Sequence, residues 1–154
     1  MENLMEVLPT ILAILGIIIS VLLAGIGSAK GGAMIGKAAA ALISEQPEKF
    51  GQSLVLQMMS ASQGLYGFIV GFLILMNINN ATDLMLWESL RYLGAGSIMG
   101  VAGLLTAIAQ SETATAGIQI LAKKPEHSTK GVLYAAMIET YAIFAFVVSV
   151  IIVL

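Results

Sequence analysis

Glu139 is a carboxylate placed where water does not reach easily. It interrupts an otherwise uncharged run from Gly131 to Leu154. At helical rise, it stands about 12 Å from the start of that run and about 22 Å from its end. A charge at such depth in a membrane costs about 2.5–3.5 kcal/mol on insertion scales, and groups of this kind mark ion or proton paths. A protonated Glu that merely ties helices together is the bland alternative. A Gln or Ser would do that without titrating.

Other polar residues fall in the same depth band. At helical rise Gln110 lies about 20 Å before Lys123, and Gln63 lies about 18 Å after Gly51. Ser62 adjoins Gln63, and Tyr66, four residues beyond Ser62, shares its helix face. One such residue alone reads as an interhelical hydrogen bond; together with a carboxylate they read as one pocket. A proton site needs only one carboxylate in apolar surroundings. A bare cation needs several oxygens to replace its hydration shell, as hard ions do. The Gln63 and Gln110 carbonyls, the Ser62 hydroxyl and the Glu139 carboxylate supply them, with the Tyr66 hydroxyl holding Glu139. A single negative charge suits a monovalent ion, and the oxygen count favours Na+ over H+.

A second apparent motif carries no chemistry. Gly31-Gly32-Ala33-Met34-Ile35-Gly36-Lys37-Ala38 fits a phosphate-binding loop except at Ala38, where a Ser or Thr must hold magnesium, and no strand precedes it. Its glycines read as helix-packing residues. The sequence contains no ATP site and no other catalytic constellation.

The elements that position these residues follow from composition. Of 154 residues, 58% are hydrophobic and 10% charged, with a mean hydropathy of +0.96. A soluble domain carries about 25% charged residues, so a cytosolic enzyme, a nucleic-acid binder and a disordered segment are all excluded. A net charge of -2 offers nothing to a polyanion. There is no Cys, hence neither a disulfide nor a thiolate metal site. Uncharged runs cover 7–29, 50–82 and 92–111, and 131–154 is broken only by Glu139. About 20 apolar residues cross a bilayer as helix. Strand-like alternation is missing, so the runs predict four transmembrane helices in an all-α membrane protein surrounded by lipid.

Six of the seven basic residues (Lys30, Lys37, Lys49, Lys123, Lys124 and Lys130) lie near two Pro-containing tips, while acids dominate the termini and the middle loop. The positive-inside rule makes loops 44–50 and 123–129 cytoplasmic and puts both termini outside a cell membrane. His127, the single histidine, reads as a solvated tip residue. The N-terminus lacks the basic region of a secretory signal, so the first span is expected to be retained. Asn80-Ala81-Thr82 has the form of a glycosylation acceptor.

The chain also repeats itself. Displacing it so that Gly16 falls on Gly94 brings Ala24-Gly25 onto Ala102-Gly103, Pro47-Glu48 onto Pro125-Glu126, and Phe68 onto Phe146 without a gap. Two tandem hairpins of the same orientation follow: residues 1–78, with helices over about 7–43 and 51–77, and residues 79–154, with helices over about 85–122 and 130–154. Glu139 falls on Ala61, so only the second hairpin carries the carboxylate. Glycines crowd the first and third helices, including the pairs Gly27/Gly31 and Gly32/Gly36, whereas Phe68, Phe72, Phe144 and Phe146 make the second and fourth bulkier. Small faces allow close backbone approach, which predicts a crowded inner layer of helices one and three with two and four outside.

The segments Gly25-Ile26-Gly27-Ser28-Ala29-Lys30-Gly31, Gln46-Pro47-Glu48-Lys49-Phe50-Gly51, Gln63-Gly64-Leu65-Tyr66-Gly67, Gly117 to His127, and Glu139-Thr140-Tyr141-Ala142 are specific in combination. Over nearly its whole length the chain resembles the rotor-ring proteolipid, the c or K subunit, of V-type (A/V-type) ATPases, most of all the bacterial Na+-translocating branch. The resemblance implies a ring of identical subunits with Glu139 as ion carrier. It also implies Ser62, Gln63 and Gln110 as side-chain ligands, the Met59 backbone carbonyl as a fifth, and Tyr66 holding Glu139. Ser60-Ala61-Ser62 stands where that branch commonly has Pro-Gly-Thr, and Ser62 keeps the hydroxyl.

The expected mechanism is rotary. Na+ from a half-channel in a stator membrane subunit neutralises Glu139, and the ring turns on ATP hydrolysis in other subunits. A stator basic residue then releases the ion, while the cytoplasmic tips dock a central-stalk subunit. The alternatives are the same ring carrying H+, a stand-alone small cation or multidrug antiporter, and a purely structural membrane protein.

Overall fold

The computed structural model describes residues 2–81 and 83–154, with side chains from Glu6 onward; Thr82 of the Asn80-Ala81-Thr82 pattern lies outside them. It is all helical. Helix α1 (Glu2–Glu45) is followed by a 3-10 turn (Pro47–Lys49), α2 (Phe50–Met58), a second 3-10 turn (Met59–Ala61) and α3 (Ser62–Asn80). Then come α4 (Leu86–Lys123), a third 3-10 turn (Pro125–His127) and α5 (Ser128–Val153). Four helical stretches, Glu6–Glu45, Pro47–Asn80, Leu86–Lys123 and Pro125–Val153, are long and apolar enough to cross a membrane. The protein is a multi-pass membrane protein of two tandem hairpins. With 44 and 38 residues, α1 and α4 exceed the ~20 that a bilayer requires.

α1 and α4 pack along their length, with α2–α3 flanking α1 and α5 flanking α4. Backbone contact explains the glycines. A Cβ on Gly96 would overlap the Gly16 carbonyl oxygen, and one on Gly27 would lie 2.7 Å from the Leu104 Cα. The two small-residue pairs of α1 serve different neighbours: Gly27 and Gly31 meet α4, whereas Gly32 and Gly36 meet Ser60 and Gln57 of the second span.

Two apolar clusters flank a polar band. Toward the tips, Ile35, Leu56, Ala114, Leu121 and Ala135 pack together; toward the termini, Ala13, Val70, Ile74, Ala95 and Met99 do so. Met59 borders the first cluster and Tyr66 the second, so the residues singled out for chemistry lie between them.

Two features differ from expectation. The helix expected over 51–77 is broken at Met59–Ala61. Ser60 and Ser62 donate back to the carbonyls of Gln57 and Met59, at 3.3 and 3.2 Å, and such local bonds compete with the helical ladder. The Gly64 N–H, just past the break, donates to Ser28 Oγ of α1 at 2.8 Å. At the tips, Lys49 is buried, its ammonium donating to the Leu121 and Ala122 carbonyls at 2.9 and 3.0 Å, and the expectation of a solvated His127 is not met. His127 is half-buried.

Candidate functional site

Glu139 projects from the middle of α5 and is half-buried. One carboxylate oxygen accepts the Tyr66 hydroxyl at 2.9 Å, and the other accepts the Gln110 amide nitrogen at 3.3 Å. The Gln63 amide nitrogen donates to Gln110 Oε1. Ser62 Oγ donates toward Gln63 Oε1 at 3.3 Å and toward the Met59 carbonyl at 3.2 Å. All six residues singled out from the sequence therefore form one continuous hydrogen-bonded chain, running from the Met59 backbone through Ser62, Gln63, Gln110 and Glu139 to Tyr66.

Three elements build it. The 3-10 turn and the first residues of α3 supply Met59, Ser62, Gln63 and Tyr66; α4 supplies Gln110; α5 supplies Glu139. Gln63 and Gln110 are wholly buried, and each has an amide carbonyl oxygen inside the band. Buried polar groups must be satisfied, and here they satisfy one another. Tyr66 stacks on Phe146, ring centroids 5.0 Å apart, which fixes its hydroxyl toward Glu139.

Within this small volume one carboxylate is joined by two amide oxygens, a hydroxyl oxygen and a peptide oxygen. Among the described residues no group of three or more His, Cys, Asp or Glu side chains is assembled. That donor set suits a single hard cation of low charge and not a transition metal.

The sequence profile of the ATP synthase C-subunit family matches this chain twice, over residues 15–74 and 93–152. The chain belongs to that family. The second match begins as far after the first as Pro125 stands after Pro47, so the chain holds two copies of the family's hairpin. It is 52% identical to the V-type sodium ATPase subunit K of Enterococcus hirae over 94% of this chain and 91% of that one. Identity is 34% to the A-type ATP synthase subunit K of Methanocaldococcus jannaschii, over 92% of this chain and 61% of the relative. It is 27% to the human 16 kDa proteolipid of the V-type proton ATPase, over 90% and 88%.

Two supporting residues of this duplicated family member escape a search for polar residues in apolar spans. Ser28 receives the Gly64 N–H and so steadies the broken segment that carries Ser62 and Gln63. Phe146 backs Tyr66. The signal for Ser28 was a hydroxyl among close-packing small residues. For Phe146 there was none, because one more aromatic in an apolar span is unremarkable.

Proposed function

We propose that this chain is the rotor subunit of a rotary V-type ATPase and carries one Na+ across the membrane on Glu139, with Ser62, Gln63, Gln110 and the Met59 carbonyl as its other ligands. The observation that carries the reading is the unbroken hydrogen-bonded chain of oxygen-bearing groups ending on one carboxylate. To take up the ion, the amide and hydroxyl oxygens turn inward and exchange their mutual hydrogen bonds for coordination. Tyr66 stays on Glu139 and prevents the carboxylate from swinging out. The sodium ATPase named at 52% identity points the same way.

Neutralisation is the physical core of the cycle. An empty carboxylate facing hydrocarbon is disfavoured by about 2.5–3.5 kcal/mol; an ion-filled one has no net charge and passes through lipid. The outer face of α5 fits that passage, since Leu133, Met137, Tyr141 and Phe144 are all exposed. Identical copies form a ring, ATP is hydrolysed in other subunits, and a stator subunit provides the half-channels and a basic residue for release. Arg91, the single arginine of this chain, already donates to the Ile152 carbonyl at 2.6 Å, so the releasing cation comes from the partner. The basic tips lie on the cytoplasmic side, where the central stalk docks, and both termini lie outside.

The competing reading is the same rotor carrying H+, favoured by relatives named as proton ATPase proteolipids. Modification of Glu139 by a hydrophobic carbodiimide separates the two. Na+ at constant ionic strength and near-neutral pH is expected to slow labelling of isolated rings. Equal rates with and without Na+ would sink the sodium reading.

A further inference from the structure

The duplicated tips end their long helices on the same defect. Pro47 stands four residues after Ile43, and Pro125 four residues after Leu121. Proline has no N–H, so neither the Ile43 nor the Leu121 carbonyl receives its helical hydrogen bond. In the second repeat the defect is repaired: Lys49, from the neighbouring hairpin, reaches across and donates to the Leu121 and Ala122 carbonyls at 2.9 and 3.0 Å. In the first repeat no basic residue lies in the last turn of α1, which ends on Glu45. That end combines orphan carbonyls, the negative pole of a helix and a carboxylate.

The offset between the repeats carries Lys49 onto His127, and carries Leu121 and Ala122 back onto Ile43 and Ser44. His127 lines a groove of about 640 Å³ between α4 and α5, together with Lys123, Lys124 and Lys130 above an apolar floor of Ala116 and Ile120. The repeats have diverged in charge here: Lys123 replaces Glu45, Lys124 replaces Gln46, and Lys130 replaces Gln52. One flank of the chain is thus basic and grooved, the other acidic with unfilled carbonyls.

The helices show the same lack of a partner. Within the chain Gly31 meets Ala107, a Cβ on Gly31 lying 3.1 Å from the Ala107 carbonyl oxygen. The offset carries these residues to Ala109 and Ala29, and both are exposed. A Cβ on Gly25 would meet nothing within 4 Å, whereas its counterpart Gly103 packs on Ala24 and Met99.

We infer that His127 caps the C-terminal end of α1 in the next copy of this chain, its imidazole N–H donating to the orphan Ile43 carbonyl, with the surrounding basic groove seating Glu45. It repeats between copies what Lys49 does between the two hairpins of one chain. A heterologous, head-to-tail contact of this kind propagates and closes into a ring. The inference rests on the ring reading and specifies its joint.

The chain lacks cysteine, which makes the joint directly testable on the full-length protein purified from membranes. The double variant Ala29→Cys/Ala109→Cys reports the helix flank; Ser44→Cys/His127→Cys reports the cap. On mild oxidation both are expected to give ladders of cross-linked copies. His127→Ala is expected to lower the temperature at which isolated rings fall to single chains, and His127→Lys, which restores the residue type of the first repeat, is expected not to. A ladder from the flank pair with none from the cap pair overturns the cap and leaves the ring standing. An unchanged dissociation temperature for His127→Ala overturns it equally. Failure of both ladders overturns the ring reading and the cap with it.

Discussion

At the residue scale the protein turns on how Glu139 is held. Its two oxygens have separate partners, Tyr66 and Gln110, and the latter is tied in turn to Gln63 and Ser62. Tyr66→Phe keeps the ring stacked on Phe146 and removes only the hydroxyl. The bond from that hydroxyl to Glu139 is present with the site empty and is kept when it fills, so it acts by holding the carboxylate in place rather than by its full strength, and Na+ affinity is expected to fall about 2- to 10-fold. Equilibrium binding to isolated rings measures this, with far-UV circular dichroism unchanged. Glu139→Gln removes the proposed carrier while keeping a side chain of the same size in this half-buried position. Ion-dependent carbodiimide reactivity at this position is expected to vanish while thermal stability does not fall; a clear loss of stability would assign Glu139 a structural role.

At the element scale, close backbone packing and end-capping hold the two hairpins together. Gly96→Val would drive a side chain into the Gly16 carbonyl, and the variant is expected to fail to accumulate as folded protein in membranes. Lys49→Ala leaves the Leu121 carbonyl without a donor; losing two charge-assisted bonds is expected to destabilise the chain by about 2–4 kcal/mol, read as a lower denaturation midpoint in detergent. These elements were unequally legible in the sequence. Charge-free runs sufficed for the four spans, because lipid admits so few polar residues, and Glu139 was conspicuous for the same reason. The site residues could be grouped by depth, since helical rise converts positions along the chain into height. The break at Met59–Ala61 could not be read so directly: Ser60 and Ser62 are ordinary residues, and only a hydroxyl acceptor on another helix, Ser28, completes the arrangement. Lys49 looked like any tip lysine because its burial depends on the end of α4, 72 residues away.

At the scale of the whole molecule the duplication is asymmetric. Both halves match the same family profile, yet Ala61 occupies the position that corresponds to Glu139. Two hairpins therefore share one deep carboxylate, and the first hairpin contributes Ser62, Gln63 and Tyr66 to the hydrogen-bonded cluster around it. Each chain is expected to bind one ion, and a ring to bind as many as it has chains. That halves the ions per hairpin relative to a ring in which every hairpin carries a carboxylate, and so halves the transported charge per turn for a ring of given girth. The central claim is that this single site is built for Na+. Equilibrium binding of radioactive sodium to isolated rings, counted per chain at near-neutral pH, tests it most directly. The account predicts saturation at one Na+ per chain, abolished by Glu139→Gln and weakened by Ser62→Ala. Absence of saturable Na+ binding in the unmodified protein would contradict it.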